Sequence, residues 1–218
     1  MVRQALKAMM PATVGIGVHR IDQTVPPLLP GEAEGVARAV PGRIREFAAG
    51  RAAARLAMKD ASLPAAAVPA GPDRAPSWPG GICGSISHAG GLAAALVTRC
   101  MDWPSVGLDL EEARPMAADL IDLVVGRDDC LGRDLPRPLA ATLLFSAKEA
   151  AFKAQFPVTG LWLDYRDVAL TITPGAFALT LCDVPLSGSW RLDGQMIVTV
   201  MLMSPDQHGA LLRVGCPK

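Results

Sequence analysis

An α+β fold of two similar halves is what this sequence predicts, and three observations carry it. Residues 41–61 read as a helix and are followed by two strand segments around a Gly-Gly turn. Residues 139–155 read as a second helix, followed by four strand segments set off by Pro174-Gly175, Ser187-Gly188 and Asp193-Gly194. Between the two series lies VGLDLE (106–111), the crossover from one half to the other. The halves expected are 1–105 and 106–218, and no residue-level repeat joins them.

In chain order, residues 1–20 form an untargeted start, because Lys7 and Pro11 break the apolar run and no small-x-small cleavage site follows. Residues 13–21 read as a short strand, and Pro26, Pro27, Pro30 and Gly31 then forbid regular structure. The helix from Pro41 carries Arg43, Arg45, Arg51, Arg55 and Lys59 among apolar residues, with Gly50 inside it. A mid-helix glycine costs about 1 kcal/mol relative to Ala, so either a close backbone approach justifies it or the helix breaks there. Arg43 and Arg55 stand open between a solvated face and an anion contact, whereas Arg51, beside the glycine, is the better anion candidate. Residues 62–78 are a Pro-rich loop in which Pro72 and Pro76 stiffen the backbone around Arg74. Residues 81–98 read as a hairpin whose first strand ends in Ser85, Ser87 and His88.

The chemistry concentrates in two stretches. In VGLDLE the period-two pattern sends Val106, Leu108 and Leu110 to one face and Asp109 and Glu111 to the other, the solvent side, about 7 Å apart at the usual rise. In FSAKEAAFK (145–153) Glu149 and Lys153 lie four apart and share one helical face. Singly, each pattern is as ordinary as a solvated surface. Brought together, three acids and a lysine make a magnesium-type phosphoryl-transfer site, because hard oxygen ligands suit Mg²⁺. After Glu111 come a charged segment, a short helix over 116–125 and an Arg-rich loop with Arg127, Arg133 and Arg137.

Composition narrows the classes. Lys plus Arg equals Asp plus Glu at 21 each, which argues against a dedicated nucleic-acid binder. No apolar run reaches bilayer length. The five cysteines are odd in number and none forms C-x-x-C, so neither a disulfide framework nor a zinc site is suggested and cytoplasmic thiols are expected.

Taken in order, REFAAGRAAAR, GPDRAPSWP, GSISHAGG, VGLDLE and FSAKEAAFKA resemble the 4′-phosphopantetheinyl transferase superfamily, in particular its enterobactin-synthase component D branch. The resemblance covers roughly residues 43–155 and rests on the joint order of the motifs. It implies a pseudo-twofold α+β chain with coenzyme A between its halves, whose phosphopantetheine arm passes to a serine of an acyl or peptidyl carrier protein, leaving 3′,5′-ADP. It implies metal acids at Asp109, Glu111 and Glu149 and a catalytic lysine at Lys153, with Glu149 handling the serine proton directly or through water. Ser87 and His88 would meet coenzyme A phosphates, Arg51 would serve as the arginine of the Gly-Arg motif, and Arg74 would lie near the nucleotide. Phe145 stands where many relatives have tryptophan, and only Asp128 and Asp129 are candidates for a fourth acid. A monomer is expected, because both halves of the site lie in one chain. Two other classes remain: a coenzyme A-binding regulatory module without chemistry, and a carrier-independent phosphohydrolase. Siderophore, polyketide and nonribosomal peptide pathways all stay open as settings.

Overall fold

The computed structural model describes residues 1–214, and its elements alternate much as the turn residues dictate. Helix α1 (Val2–Met9) leads into strand β1 (Gly15–Arg20), and the proline-rich connection ends at helix α2 (Pro41–Asp60), which opens on its proline. Strands β2 (Ile82–Ala89) and β3 (Leu92–Arg99) form a hairpin across Gly90 and Gly91, both at positive φ, as a tight two-residue turn requires. Next come β4 (Ser105–Glu112), α3 (Ala118–Val124) and α4 (Arg137–Thr159). Strands β5 (Leu170–Thr173), β6 (Ala176–Leu181), β7 (Val184–Asp193) and β8 (Met196–Met203) follow, and then helix α5 (Pro205–Val214). The strands make a three-stranded sheet in the order β1-β3-β2 and a five-stranded sheet in the order β4-β8-β7-β6-β5, antiparallel throughout.

Each half uses the same device to seat its long helix. A Cβ on Gly17 of β1 would lie 1.9 Å from the Ala53 carbonyl oxygen of α2, and one on Gly107 of β4 would lie 1.9 Å from the Ala150 carbonyl oxygen of α4. Glycine on the strand and alanine on the helix let two backbones touch, and α2 and α4 are correspondingly alanine-rich on their buried sides. This shared packing is the physical content of the two-half expectation. Gly107→Ala should therefore push α4 off β4 and cost on the order of 2–3 kcal/mol or more, read as a lowered thermal midpoint. A wild-type melt would contradict the close approach. Gly50 does not break α2; a Cβ there would meet the Ile86 side chain at 3.0 Å, so close packing explains it.

The halves join without a shared backbone ladder. Oγ of Ser85 accepts a hydrogen bond from the Leu108 amide (3.0 Å) and Oγ of Ser87 accepts one from the Leu110 amide (3.2 Å), so hydroxyls of β2 satisfy β4. Behind β4, Val106, Leu108 and Leu110 pack with Val2 and Leu6 of α1, Ile16 of β1 and Val198 and Val200 of β8.

Three expectations need correction. Asp109 does not face solvent: α4 covers that side of β4, and the residue is only 4% exposed. The thiols are not all free, because the hairpin brings the Cα atoms of Cys83 and Cys100 within 5.4 Å and they form a disulfide. Cys182 is also disulfide-bonded, Cys130 is a free exposed thiol, and Cys216 lies outside the described residues. A cross-strand pair leaves no C-x-x-C signature, and the thiol argument for a reducing compartment does not hold for it. Finally, helix α1 precedes β1 where only a lead-in was expected. Among the described residues no helix is long and apolar enough to cross a membrane.

Candidate active site

Between the halves runs a cleft of about 780 Å³, walled by α2, the 71–78 loop, β2, the end of β4 and α4. Arg51, Arg74, Ser87, His88, Asp109, Glu111, Glu149 and Lys153 all line it, so the residues singled out from sequence converge on one cavity.

Asp109 is the node of the cleft. Its Oδ1 accepts from Lys153 Nζ at 2.6 Å and from Ser87 Oγ at 2.9 Å, and its Oδ2 accepts from Ser146 Oγ at 2.8 Å. Lys153 Nζ also donates to the Leu108 carbonyl at 3.1 Å, which pins the ammonium over the end of β4. Ser87, expected to meet a phosphate, has its proton spent on Asp109 and its oxygen accepting from Leu110; here it is a strut, not an open donor. Ser146 was not foreseen, although it lies three residues before Glu149 and seven before Lys153, on the same helical face.

Glu149 takes a hydrogen bond from the Tyr165 hydroxyl at 2.8 Å, and its other oxygen has no hydrogen-bond partner among the described residues. Burial, then the bond to Glu149 and that residue's charge, push the Tyr165 phenol up, so it stays a donor. Phe145 packs against this ring at 5.4 Å, the packing role expected of it. Glu111 is the strained acid of the set. Burial first, then the charge of Asp109, push its carboxyl from the ordinary 4.5 up to about 7; Lys153 works against the shift and Glu149 adds to it.

That shift has a stability consequence whose sign is fixed. A folded chain that holds a proton the unfolded chain loses near 4.5 is favoured below that pH, and the advantage disappears as pH rises through about 7. In excess chelator the wild type should lose stability from about pH 5.5 to about pH 8 relative to Glu111→Gln. The difference should be on the order of 1 kcal/mol after screening of this partly exposed group. Parallel pH profiles of the two melts would refute it.

The opposite wall is cationic. Arg51 is 5% exposed, with Nε donating to the Val68 carbonyl at 2.6 Å and its guanidinium 3.8 Å from the centre of the Phe47 ring. Burial lowers it to about 10, so it remains charged at neutral pH. Arg74 is exposed at a positive φ of 68° in a turn closed by its own amide bonding to the Gly71 carbonyl. Arg43 resolves toward the cleft: Nη1 donates to His88 Nε2 at 2.8 Å, which makes that nitrogen an acceptor and the ring neutral. Burial lowers the His88 pKa, Glu46 opposes, and Arg43 and Lys153 reinforce. Arg55 points elsewhere, into a buried pair with Glu32.

Other candidates are dispersed. Asp129 is not a fourth cleft acid: its Oδ2 meets Lys148 Nζ at 2.6 Å and the Gly126 amide, and its Oδ1 accepts from the Leu170 amide, tying the loop to α4 and β5. Asp128 is exposed. Arg127, Arg133 and Arg137 rim a separate hollow of about 480 Å³.

Among the described residues no three His, Cys, Asp or Glu side chains are gathered as a ready metal cluster, because Asp109 is turned into its hydroxyl and lysine contacts. The donor chemistry nevertheless fits a hard cation. Asp109, Glu111 and Glu149 offer only oxygen, and burial first, then the charges of Asp109 and Glu149, raise Glu111 against the opposing Lys153.

Comparison with known proteins agrees along most of the chain. The sequence model of the 4′-phosphopantetheinyl transferase N-terminal domain matches residues 31–98, and that of the 4′-phosphopantetheinyl transferase superfamily matches residues 105–201. 4′-Phosphopantetheinyl transferase Svp of Streptomyces mobaraensis is 41% identical over 181 residues, covering 79% of this chain and 74% of that protein. 4′-Phosphopantetheinyl transferase PptT of Mycobacterium tuberculosis is 32% identical over 80% of this chain and 86% of its own length. Enterobactin synthase component D of Salmonella typhi is 32% identical over 73% of this chain and 71% of its own.

Proposed function

Because the chain belongs to the 4′-phosphopantetheinyl transferase superfamily, an enzyme family that moves an arm of coenzyme A to carrier proteins, we propose the following reaction for it. The 4′-phosphopantetheine arm passes to a serine of an apo acyl or peptidyl carrier protein, and 3′,5′-ADP leaves. The observation that carries the reading is the cleft itself, with arginines on the wall of the first half and an acid and lysine set on the wall of the second. A molecule that joins a phosphorylated nucleotide to a pyrophosphate needs both walls.

In the step proposed, the carrier serine oxygen bonds to the phosphorus that bears the pantetheine arm, and the pyrophosphate bond to 3′,5′-ADP breaks. The serine is a poor nucleophile at neutral pH, so Glu149 accepts its proton, directly or through a water. Lys153, held by Asp109 and the Leu108 carbonyl, sits where its charge offsets that developing on the phosphoryl oxygens. Arg51, Arg74 and the Arg43–His88 pair bind and orient the nucleotide phosphates. A Mg²⁺ ion held by Asp109, Glu111 and Glu149 would supply charge neutralisation on the pyrophosphate. The halves divide at residue 105/106 in this reading, and one chain completes the site, so a monomer suffices. Relatives named as enterobactin synthase components support an assembly-line carrier as partner, and the Arg127, Arg133 and Arg137 rim suits an acidic one.

The test is intact mass of apo-carriers after incubation with coenzyme A and Mg²⁺. A phosphopantetheine increment supports the transferase, whereas free phosphopantetheine released without any carrier would favour the phosphohydrolase. Arg74 supplies a further check. Exposed on its turn, it has charge to spare for the 3′-phosphate, so dephospho-coenzyme A should bind more weakly than coenzyme A, and Arg74→Ala should erase about 1–3 kcal/mol of that preference. Equal calorimetric affinities of the wild type for both ligands would sink that assignment.

A further inference from the structure

Glu32 lies outside the cleft, is fully buried, and has every lone-pair direction in use. Oε1 accepts from the Val68 amide at 2.9 Å and from Arg55 Nη1 at 3.0 Å, and Oε2 accepts from the Leu29 amide at 2.8 Å and from the same Nη1 at 3.1 Å. The other face of the Val68 residue continues the chain of contacts, because its carbonyl receives Arg51 Nε at 2.6 Å. We propose that Glu32 is a positioning residue for coenzyme A binding, fixing the guanidinium of Arg51 through the backbone of Val68. The inference rests on the coenzyme A reading of the cleft.

The geometry gives this relay little slack. Val68 is fully buried and is followed by Pro69, which confines its backbone, while Glu32 holds its amide. Arg51 is then fixed at two points: Nε by the Val68 carbonyl, and the guanidinium plane by Phe47. Its terminal nitrogens make no hydrogen bond to the described residues, and the side chain lines the cleft, so they remain for a ligand anion. Glu32 is also the acid whose charge counters the burial of Arg51, with Arg43 and Arg55 acting the other way. Arg55 directs one nitrogen at both Glu32 oxygens, and its Nη2 is buried with no partner among the described residues.

The experiment is a double-mutant cycle read by calorimetry of coenzyme A on the full chain: wild type, Glu32→Gln, Arg51→Ala and the double variant. Glu32→Gln keeps the size of the side chain but sets an amide donor among donors. It should weaken coenzyme A by about tenfold, and Arg51→Ala by at least as much. In the Arg51→Ala background, Glu32→Gln should add less than about twofold. At saturating coenzyme A, kcat of Glu32→Gln should stay within about threefold of wild type, which separates positioning from general loosening. Additive losses, an unchanged Glu32→Gln affinity, or an Arg51→Ala variant that binds normally would each overturn the proposal and leave the coenzyme A reading intact. A wild type that binds no coenzyme A would sink that reading and this inference with it. Should Glu32→Gln not fold, Glu32→Asp enters the same cycle, and nitrogen-15 NMR of the wild-type arginine side chains decides independently. The Arg51 Nε–H should exchange slowly before coenzyme A is added, and rapid exchange in the free protein would refute a preset guanidinium.

Discussion

Asp109→Asn is expected to lower the rate of carrier modification by about 10²–10³-fold and to destabilise the fold as well, by roughly 2–4 kcal/mol. A midpoint drop on the order of 5–10 °C follows for a chain of this size. The carboxylate accepts from Lys153, Ser87 and Ser146, and these three donors converge on two oxygens in a site almost closed to water. An amide turns one of those oxygens into a donor, so one contact must be lost or reversed, and Lys153 loses its ionic partner while keeping the Leu108 carbonyl and, at 3.4 Å, the Ser87 hydroxyl. Activity falls because the lysine is held less firmly and an anionic oxygen is lost from the cleft. Ser146→Ala is the graded control: it removes the hydroxyl that meets Asp109 Oδ2 and Thr199 but leaves Lys153 paired, so it should cost about 1.5–2 kcal/mol, with a much smaller effect on rate. Melts and single-turnover carrier modification check both. An Asp109→Asn variant that melts like the wild type would show that the buried network contributes nothing.

That stability cost is absent from the sequence expectation, and the reason is instructive. A period-two strand fixes which residues share a face, and Gly107, Asp109 and Glu111 do share one. It does not say whether the face is covered. Gly107 was the available signal, because a strand glycine on that face lets a helix backbone lie directly on it, and α4 does so at Ala150. The long helices, the Gly-Gly hairpin and the four C-terminal strands were legible because local turn chemistry and periodicity decide them. Helix α1 was not, since its register is justified by packing on β1, β7 and β8, far away in sequence. The Tyr165–Glu149 contact was hidden for the same reason, whereas the Cys83–Cys100 pair closes the legible β2–β3 hairpin and was hidden only because finding it needs the register of that hairpin. Cleft membership of Arg51, Arg74 and His88 was readable, but the support of Arg51 by Val68 and Glu32 was not.

Glu149→Gln should act in the opposite way to Asp109→Asn, with a large effect on turnover and a small one on the fold. Glutamine has the same shape, its carbonyl oxygen still accepts from the Tyr165 hydroxyl, and Glu149 makes no other hydrogen bond with the described residues. The melt should therefore shift by less than about 1 kcal/mol. What the amide cannot do is take a proton from the carrier serine, and loss of a positioned base costs about 10²–10⁴ in kcat. In excess chelator, where metal ligation plays no part, coenzyme A affinity should stay within about threefold, since the arginine wall is untouched. Tyr165→Phe provides the comparison: it releases one carboxylate oxygen without removing the base, so a loss of only about three- to tenfold is expected, on the scale of one hydrogen bond. The order of rates then follows wild type, Tyr165→Phe and Glu149→Gln. Single-turnover rates at saturating carrier and coenzyme A, with calorimetric affinities alongside, give the measurement. A Glu149→Gln variant that modifies carrier at the wild-type rate would remove Glu149 from the proton's path and move the search for the base to Glu111.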